Sequence, residues 1–146
     1  MKTTVRTMMF VTLTALVGAT AAHAQVTDKM EFKTAFPFTV GNTKYPAGSF
    51  TVRPADETDP NVLEITNGTI TTLVMVEPEL PRPTQAVKDE VVFKKYGNEY
   101  VLREIWDGAD GTGARTEMSP AERHHSKKNG APTKESVTAS KIGSGS

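Results

Sequence analysis

The chain has 146 residues, no cysteine, and 17 Lys/Arg balanced by 17 Asp/Glu. That length suits one domain with its own packed core, and the missing cysteines exclude a disulfide framework. The balance is uneven: residues 25–119 hold ten basic and fifteen acidic side chains, residues 120–146 five basic and two acidic. An acidic body argues against nucleic acid as a partner.

Lys2 and Arg6 precede an apolar run from Met8 to Ala19, and Ala22-His23-Ala24 is a small-x-small cleavage site. The run is too short and too rich in Thr and Ala for a comfortable membrane span. Residues 1–24 therefore read as a signal peptide cleaved near Ala24. The mature chain reads as secreted, periplasmic or extracellular, with no transmembrane segment.

Met30-Glu31-Phe32-Lys33 alternates and opens a first strand. Phe36, Phe38 and Val40 follow at spacing two, with Pro37 placing them at an edge or an opening position. Gly41-Asn42 and Pro46-Ala47-Gly48 are turn chemistry, and Phe50 and Val52 resume the alternation. After an acidic loop, Val62–Thr66 and Thr69–Val76 flank Asn67-Gly68, a strong hairpin signal. A two-residue turn there pairs Ile65 with Ile70 and Leu63 with Thr72, gathering Leu63, Ile65, Ile70, Val74 and Val76 on one face. Glu77 to Pro83 is a Pro-rich break, read as a stiff connector.

Val91–Trp106 is the strongest stretch, two strands rich in β-branched and aromatic residues around Gly97-Asn98. A two-residue turn pairs Phe93 with Leu102 and Lys95 with Tyr100. One face then carries Val91, Phe93, Tyr100, Leu102 and Trp106; the other carries Val92, Tyr96, Val101 and Ile105. The second face is an apolar surplus, and Val92, Tyr96, Val101 and Ile105 are a possible contact surface unless the chain covers them itself.

Ser119-Pro120-Ala121-Glu122 has the marks of a helix start, with Ser119 as cap, Pro120 in the first turn and Glu122 reaching back. A short marginal helix is expected over 120–128. Residues 129–146 are polar and read as a disordered tail, and deleting Ser126–Ser146 is expected to leave the melting temperature nearly intact. The chain is therefore all-β: a signal peptide (1–24), a β-rich domain (25–119), the helix and the tail. Six to eight short strands make a single antiparallel β-sandwich or small barrel.

Chemistry is sparse. Asp107 and Asp110 in a Gly-rich loop are weak calcium candidates, without the spacing or bidentate Glu of an EF-hand. His124 and His125 are adjacent, so a helix points them apart, and they read as exposed residues near a frayed end. No nucleophile motif is present, although sequence cannot show whether two carboxylates pair in space. Pro46, Gly48, Asn67, Gly68, Gly97 and Asn98 read as structural turn positions. No catalytic constellation and no cofactor are expected.

Phe36-Pro37-Phe38-Thr39-Val40-Gly41, Pro46-Ala47-Gly48-Ser49-Phe50 and Phe93-Lys94-Lys95-Tyr96-Gly97 through Tyr100-Val101-Leu102 to Ile105-Trp106 together resemble a group of small secreted β-rich bacterial proteins, numerous in Acidobacteria. The resemblance covers roughly residues 32–123 and departs at Tyr45, usually Leu, and Phe50, usually Tyr. It implies an exported β-domain and carries no catalytic residues across. The expectation is a non-enzymatic binding or structural module of the envelope or extracellular space, with a protein or glycan partner. The alternatives are a subunit that self-assembles through strand edges, and a carboxylate hydrolase.

Overall fold

The computed structural model describes residues 28–79, 88–109 and 111–142. The expected leader, the part of the Pro-rich break from Leu80 onward and Asp110 lie outside the described residues, whereas Glu77–Glu79, read as the start of that connector, are strand paired to a neighbour. In chain order come β1 (Met30–Thr34), β2 (Phe38–Val40), β3 (Thr43–Tyr45), β4 (Gly48–Pro54), β5 (Val62–Thr66) and β6 (Thr71–Glu79). β7 (Glu90–Tyr96), β8 (Glu99–Asp107), β9 (Thr112–Thr116), α1 (Pro120–Asn129) and β10 (Thr133–Lys141) complete the fold.

Eight strands close an antiparallel barrel in the order β1-β4-β5-β6-β9-β8-β7-β10, with β10 returning to β1. Closure removes sheet edges that would otherwise expose unpaired backbone groups. Inward positions at spacing two fill the barrel: Met30 and Phe32, Phe50 and Val52, Leu63 and Ile65, Val74 and Val76 all join one core. Each such side chain contributes about 1.5–3 kcal/mol relative to exposure.

β9 has five residues, so it links β6 to β8 only through Val76–Glu79 and Glu104–Asp107. The β2–β3 hairpin fills the wedge left between the other halves. β2 runs parallel to β8, with Thr39 opposite Val101. On β3, the Tyr45 hydroxyl donates to the Ile65 carbonyl at 3.0 Å and shares a hydrogen bond with the Thr72 hydroxyl at 2.8 Å. Phe38 packs edge-on against Phe50 and Phe93, with ring centroids 4.8 and 5.0 Å away, and stacks on Tyr45. Pro78 is tolerated inside β6 because β5 pairs with β6 only through Met75, so the missing donor faces no neighbouring strand there.

Three expectations are corrected. The first concerns β10. The span read as a disordered tail holds a nine-residue strand that pairs with β7 over Thr133–Thr138 and with β1 over Ala139–Lys141. Its polar sequence buries only Ala139, and the unpaired edges of β7 and β1 supply what the residues themselves lack.

The second concerns the Asn67-Gly68 hairpin. Its register is Thr66 opposite Thr71 and Leu63 opposite Val74, two residues from the simple turn. The Asn67 side chain accepts from the backbone N–H of Thr69 and of Ile70, at 3.0 and 2.7 Å, opening a four-residue loop. An even slip preserves the faces, so the expected inward residues stay inward.

The third is a β-bulge. Phe93 faces Leu102 and Lys95 faces Tyr100 as expected, but Val92 faces Glu104, which leaves Arg103 as an extra residue in β8. Beyond it the alternation is inverted. Ile105 enters the core with Val91, while Trp106 joins Val92 in a separate cluster. Opposite Trp106 stands Gly113, where a Cβ would lie 2.5 Å from the indole ring.

Gly97 opens the tight turn at φ +62°, a value that favours glycine, while Asn98 keeps a negative φ. Gly97→Val is expected to cost about 1–2 kcal/mol, since a β-branched residue is strained in that region. Its urea midpoint, compared with the parent's, checks this. An unchanged midpoint would show that the turn relaxes without glycine.

Candidate functional site

Helix α1 begins as the sequence suggests. Ser119 caps it, its Oγ accepting from Glu122 N–H at 3.1 Å, and Pro120 occupies the first turn. Glu122 does not reach back to complete a capping box. Its carboxylate turns to the outer wall of the barrel, where it is 2% exposed. Tyr96 Oη donates to Glu122 Oε1 at 2.9 Å, and Arg103 Nη1 lies 3.4 Å from Oε2 and donates to the Thr116 carbonyl at 2.6 Å. The bulge is what places Arg103 there. Three polar groups from β7, β8 and α1 thereby lock the helix down, although the helix offers almost no apolar face. Burial, then the hydrogen bond and charge of Glu122, push the Tyr96 hydroxyl up to about 12.

The surplus face is not left open. Val92, Tyr96 and Val101 are each under 7% exposed, and Ile105 lies in the core, so these four residues are not an open contact surface. Two other side chains are open: Leu73 and Met75 project from β6 at 63% and 61% exposure, with Met75 opposite Val62. The Thr-rich alternation of β6 drew attention to its inward residues and hid this pair.

Between α1, the β2–β3 hairpin and the start of β8 lies a cleft of about 240 Å³. Its walls are Thr39, Asn42 and Lys44 from the hairpin, Glu99 and Val101 from β8, and Ser119, Ala121 and His125 from the helix side, with Glu122 beneath. His125 Nε2 stands 2.6 Å from Glu99 Oε2, so this histidine is half-buried and partnered rather than free at a frayed end. A smaller recess of about 120 Å³, shared at Thr39, Lys44 and Glu99, continues over Pro37, Phe38, Tyr45, Asn98 and Tyr100. The Tyr100 ring is already occupied: Phe36 stacks on it at 3.9 Å, and Lys95 Nζ lies 5.3 Å from its centroid.

The calcium candidates fare differently from what their spacing suggests. Asp107 is fully buried, and Lys141 Nζ on β10 lies 2.8 Å from its Oδ2 and 2.9 Å from Asp28 Oδ2. Those two carboxylates hold the Lys141 ammonium well above its ordinary range. An amine thus supplies the charge a metal would bring, and Asp110 lies outside the described residues. Among the described residues, no three of His, Cys, Asp and Glu gather into a group able to hold a metal ion. Nor is any helix there long and apolar enough to cross a membrane. Asn67 and Gly68 fall in the β5–β6 connection and Gly97 and Asn98 in the β7–β8 turn, whereas Pro46 precedes and Gly48 opens β4 after β3, two strands that do not pair with each other.

The fold and cleft define a closed eight-stranded antiparallel barrel with a helix docked on its outer wall. No protein-family model, curated protein or solved structure matches the chain.

Proposed function

We propose that the protein is an exported, non-enzymatic binding module of the envelope or extracellular space, and that its ligand enters the cleft between α1 and the β2–β3 hairpin. The observation that carries this reading is the composition of the cleft. Donors and acceptors (Lys44, Asn42, Thr39, Ser119, Glu99, His125) line it together with the apolar Val101 and Ala121. Balanced charge and mixed hydrogen-bonding groups suit a neutral, hydroxyl-rich ligand, the end of a glycan above all. The volume suits a small ligand or the terminal unit of a longer one.

The hydrolase alternative finds little support here. A carboxylate pair must be free to protonate and to attack, whereas both Glu122 oxygens are held by Tyr96 and Arg103, and Glu99 is held by His125. Self-association keeps one observation in its favour, the exposed Leu73 and Met75.

Amide resonances of residues 25–146, titrated with neutral mono- and oligosaccharides, test the reading. Shifts are expected at Thr39, Asn42, Glu99 and His125, and Lys44→Ala or Glu99→Ala should weaken binding about tenfold. Silence of the cleft at millimolar sugar would sink the glycan reading. Light scattering over a concentration series, with Leu73→Ser as the comparison, reports on self-association independently.

A further inference from the structure

A second pocket, of about 330 Å³, shares no lining residue with the cleft and gathers three guanidinium groups: Arg103 from the β8 bulge, Arg115 from β9 and Arg123 from α1. Cations from three separate elements do not converge without anions to hold them there. Two stand beside them among the described residues. Glu122 lies 3.4 Å from Arg103, and Glu77 lies 3.6 Å from Arg115 in a pair whose side chains are 63% and 46% exposed. Arg123 has no ion pair among the described residues, and its Nε and Nη2 donate only to the Met118 carbonyl, at 3.3 and 3.1 Å. Arg103 is 6% exposed, yet its Nε has no hydrogen-bond partner among the described residues. Leaving such a donor unpaired is costly, and native structures keep few of them.

We propose that this pocket binds an oxyanion, a phosphate or sulfate group, held between Arg115 and Arg123 and lying over the charge of Arg103. Planar guanidinium forks match tetrahedral oxyanions in geometry and charge, and here the barrel and the helix fix their relative positions. The Glu77–Arg115 pair is exposed on both sides, the kind of ion pair that contributes little to stability. Glu117, exposed on the same wall, opposes the anion and keeps the affinity modest and salt-dependent. The group is either a free ion or an ester on a lipid headgroup, and the two sources are separable.

The test titrates the mature protein with inorganic phosphate against chloride at constant ionic strength, following melting temperature and amide shifts. A saturable rise with phosphate is expected. Arg115→Gln and Arg123→Gln should each weaken it at least about tenfold, and Glu117→Gln should strengthen it severalfold. Lys33→Gln, an exposed cation on β1 outside the pocket, should change nothing. Both arginines are exposed, so these variants should fold, and a far-UV melt verifies that. In parallel, flotation with phosphatidylglycerol vesicles, against phosphatidylcholine alone, asks whether a lipid phosphate is preferred. Arginine-dependent capture by the anionic vesicles without a free-phosphate response assigns the lipid ester, and a free-phosphate response without capture assigns the ion. Phosphate acting no better than chloride, with vesicle binding absent or unchanged in the Arg115→Gln/Arg123→Gln double variant, overturns the proposal.

Discussion

A chain that stops at Asn129 is expected to lose its cooperative melt. Such a truncation removes β10, and with it the six register positions that pair with β7 and the three that pair with β1. Phe93 and Phe32, whose rings lie 6.2 Å apart in the core, sit on the two strands that would be left with open edges. The truncation also removes Lys141, the cation 2.8 Å from fully buried Asp107, and Lys134, the cation 3.2 Å from Glu104. Stripping a buried carboxylate of its partner alone costs about 3–5 kcal/mol. Added to an opened barrel, the loss matches or exceeds the 5–15 kcal/mol typical of a whole domain. The readout is far-UV circular dichroism against temperature, with dye binding to report exposed apolar surface. Two comparisons sharpen it: a chain ending at Ile142 should melt like the parent, and a synthetic peptide of residues 130–142 added in trans should restore a transition. A sharp melt within a few degrees of the parent's would show that the barrel does not need its last strand.

That outcome bears on what the residues declare by themselves. Alternation made β1, β4, β5, β7 and β8 legible because their inward residues are apolar and large, and water selects the same face whatever the fold around them. The Gly97-Asn98 register was legible because the turn is short. β10 was not, because Thr133–Lys141 buries only Ala139 and owes its conformation to two neighbours far away in sequence. The bulge at Arg103 was equally hidden. A local count cannot reveal one extra residue, and that residue exchanges the faces of Ile105 and Trp106. The same blind spot covers the candidate sites. Lys44, Glu99 and His125 are ordinary surface residues in sequence and become walls of one cleft only because β2 lies beside β8 and α1 folds back. The Ser119 cap, Pro120 and Glu122 pointed toward α1, and they located the start of the helix without its docking face.

Glu122→Ala is expected to destabilise the domain by about 3–5 kcal/mol, because it leaves Arg103 buried with no carboxylate and Tyr96 with no acceptor. The two losses belong to one network and will not simply add. Urea unfolding measures the change, and a cost below about 1 kcal/mol would mean the helix is held by something else. Replacing the whole pair, as Arg103→Met with Glu122→Leu, should recover most of the stability, since a buried ion pair and an apolar substitute of similar volume come out nearly even. Alkali supplies an independent check. The Tyr96 pKa is raised in the fold from 10.0 to about 12, so its contribution is complete below pH 10 and is lost as the pH climbs to 12. The Glu122→Ala variant lacks the hydrogen bond and the negative charge that produce part of this shift. The stability gap between parent and variant should therefore narrow between pH 10 and 12, and a constant gap would separate Tyr96 from Glu122. The helix carries so little apolar surface that its attachment rests on these polar contacts, and the cleft it walls depends on them as well.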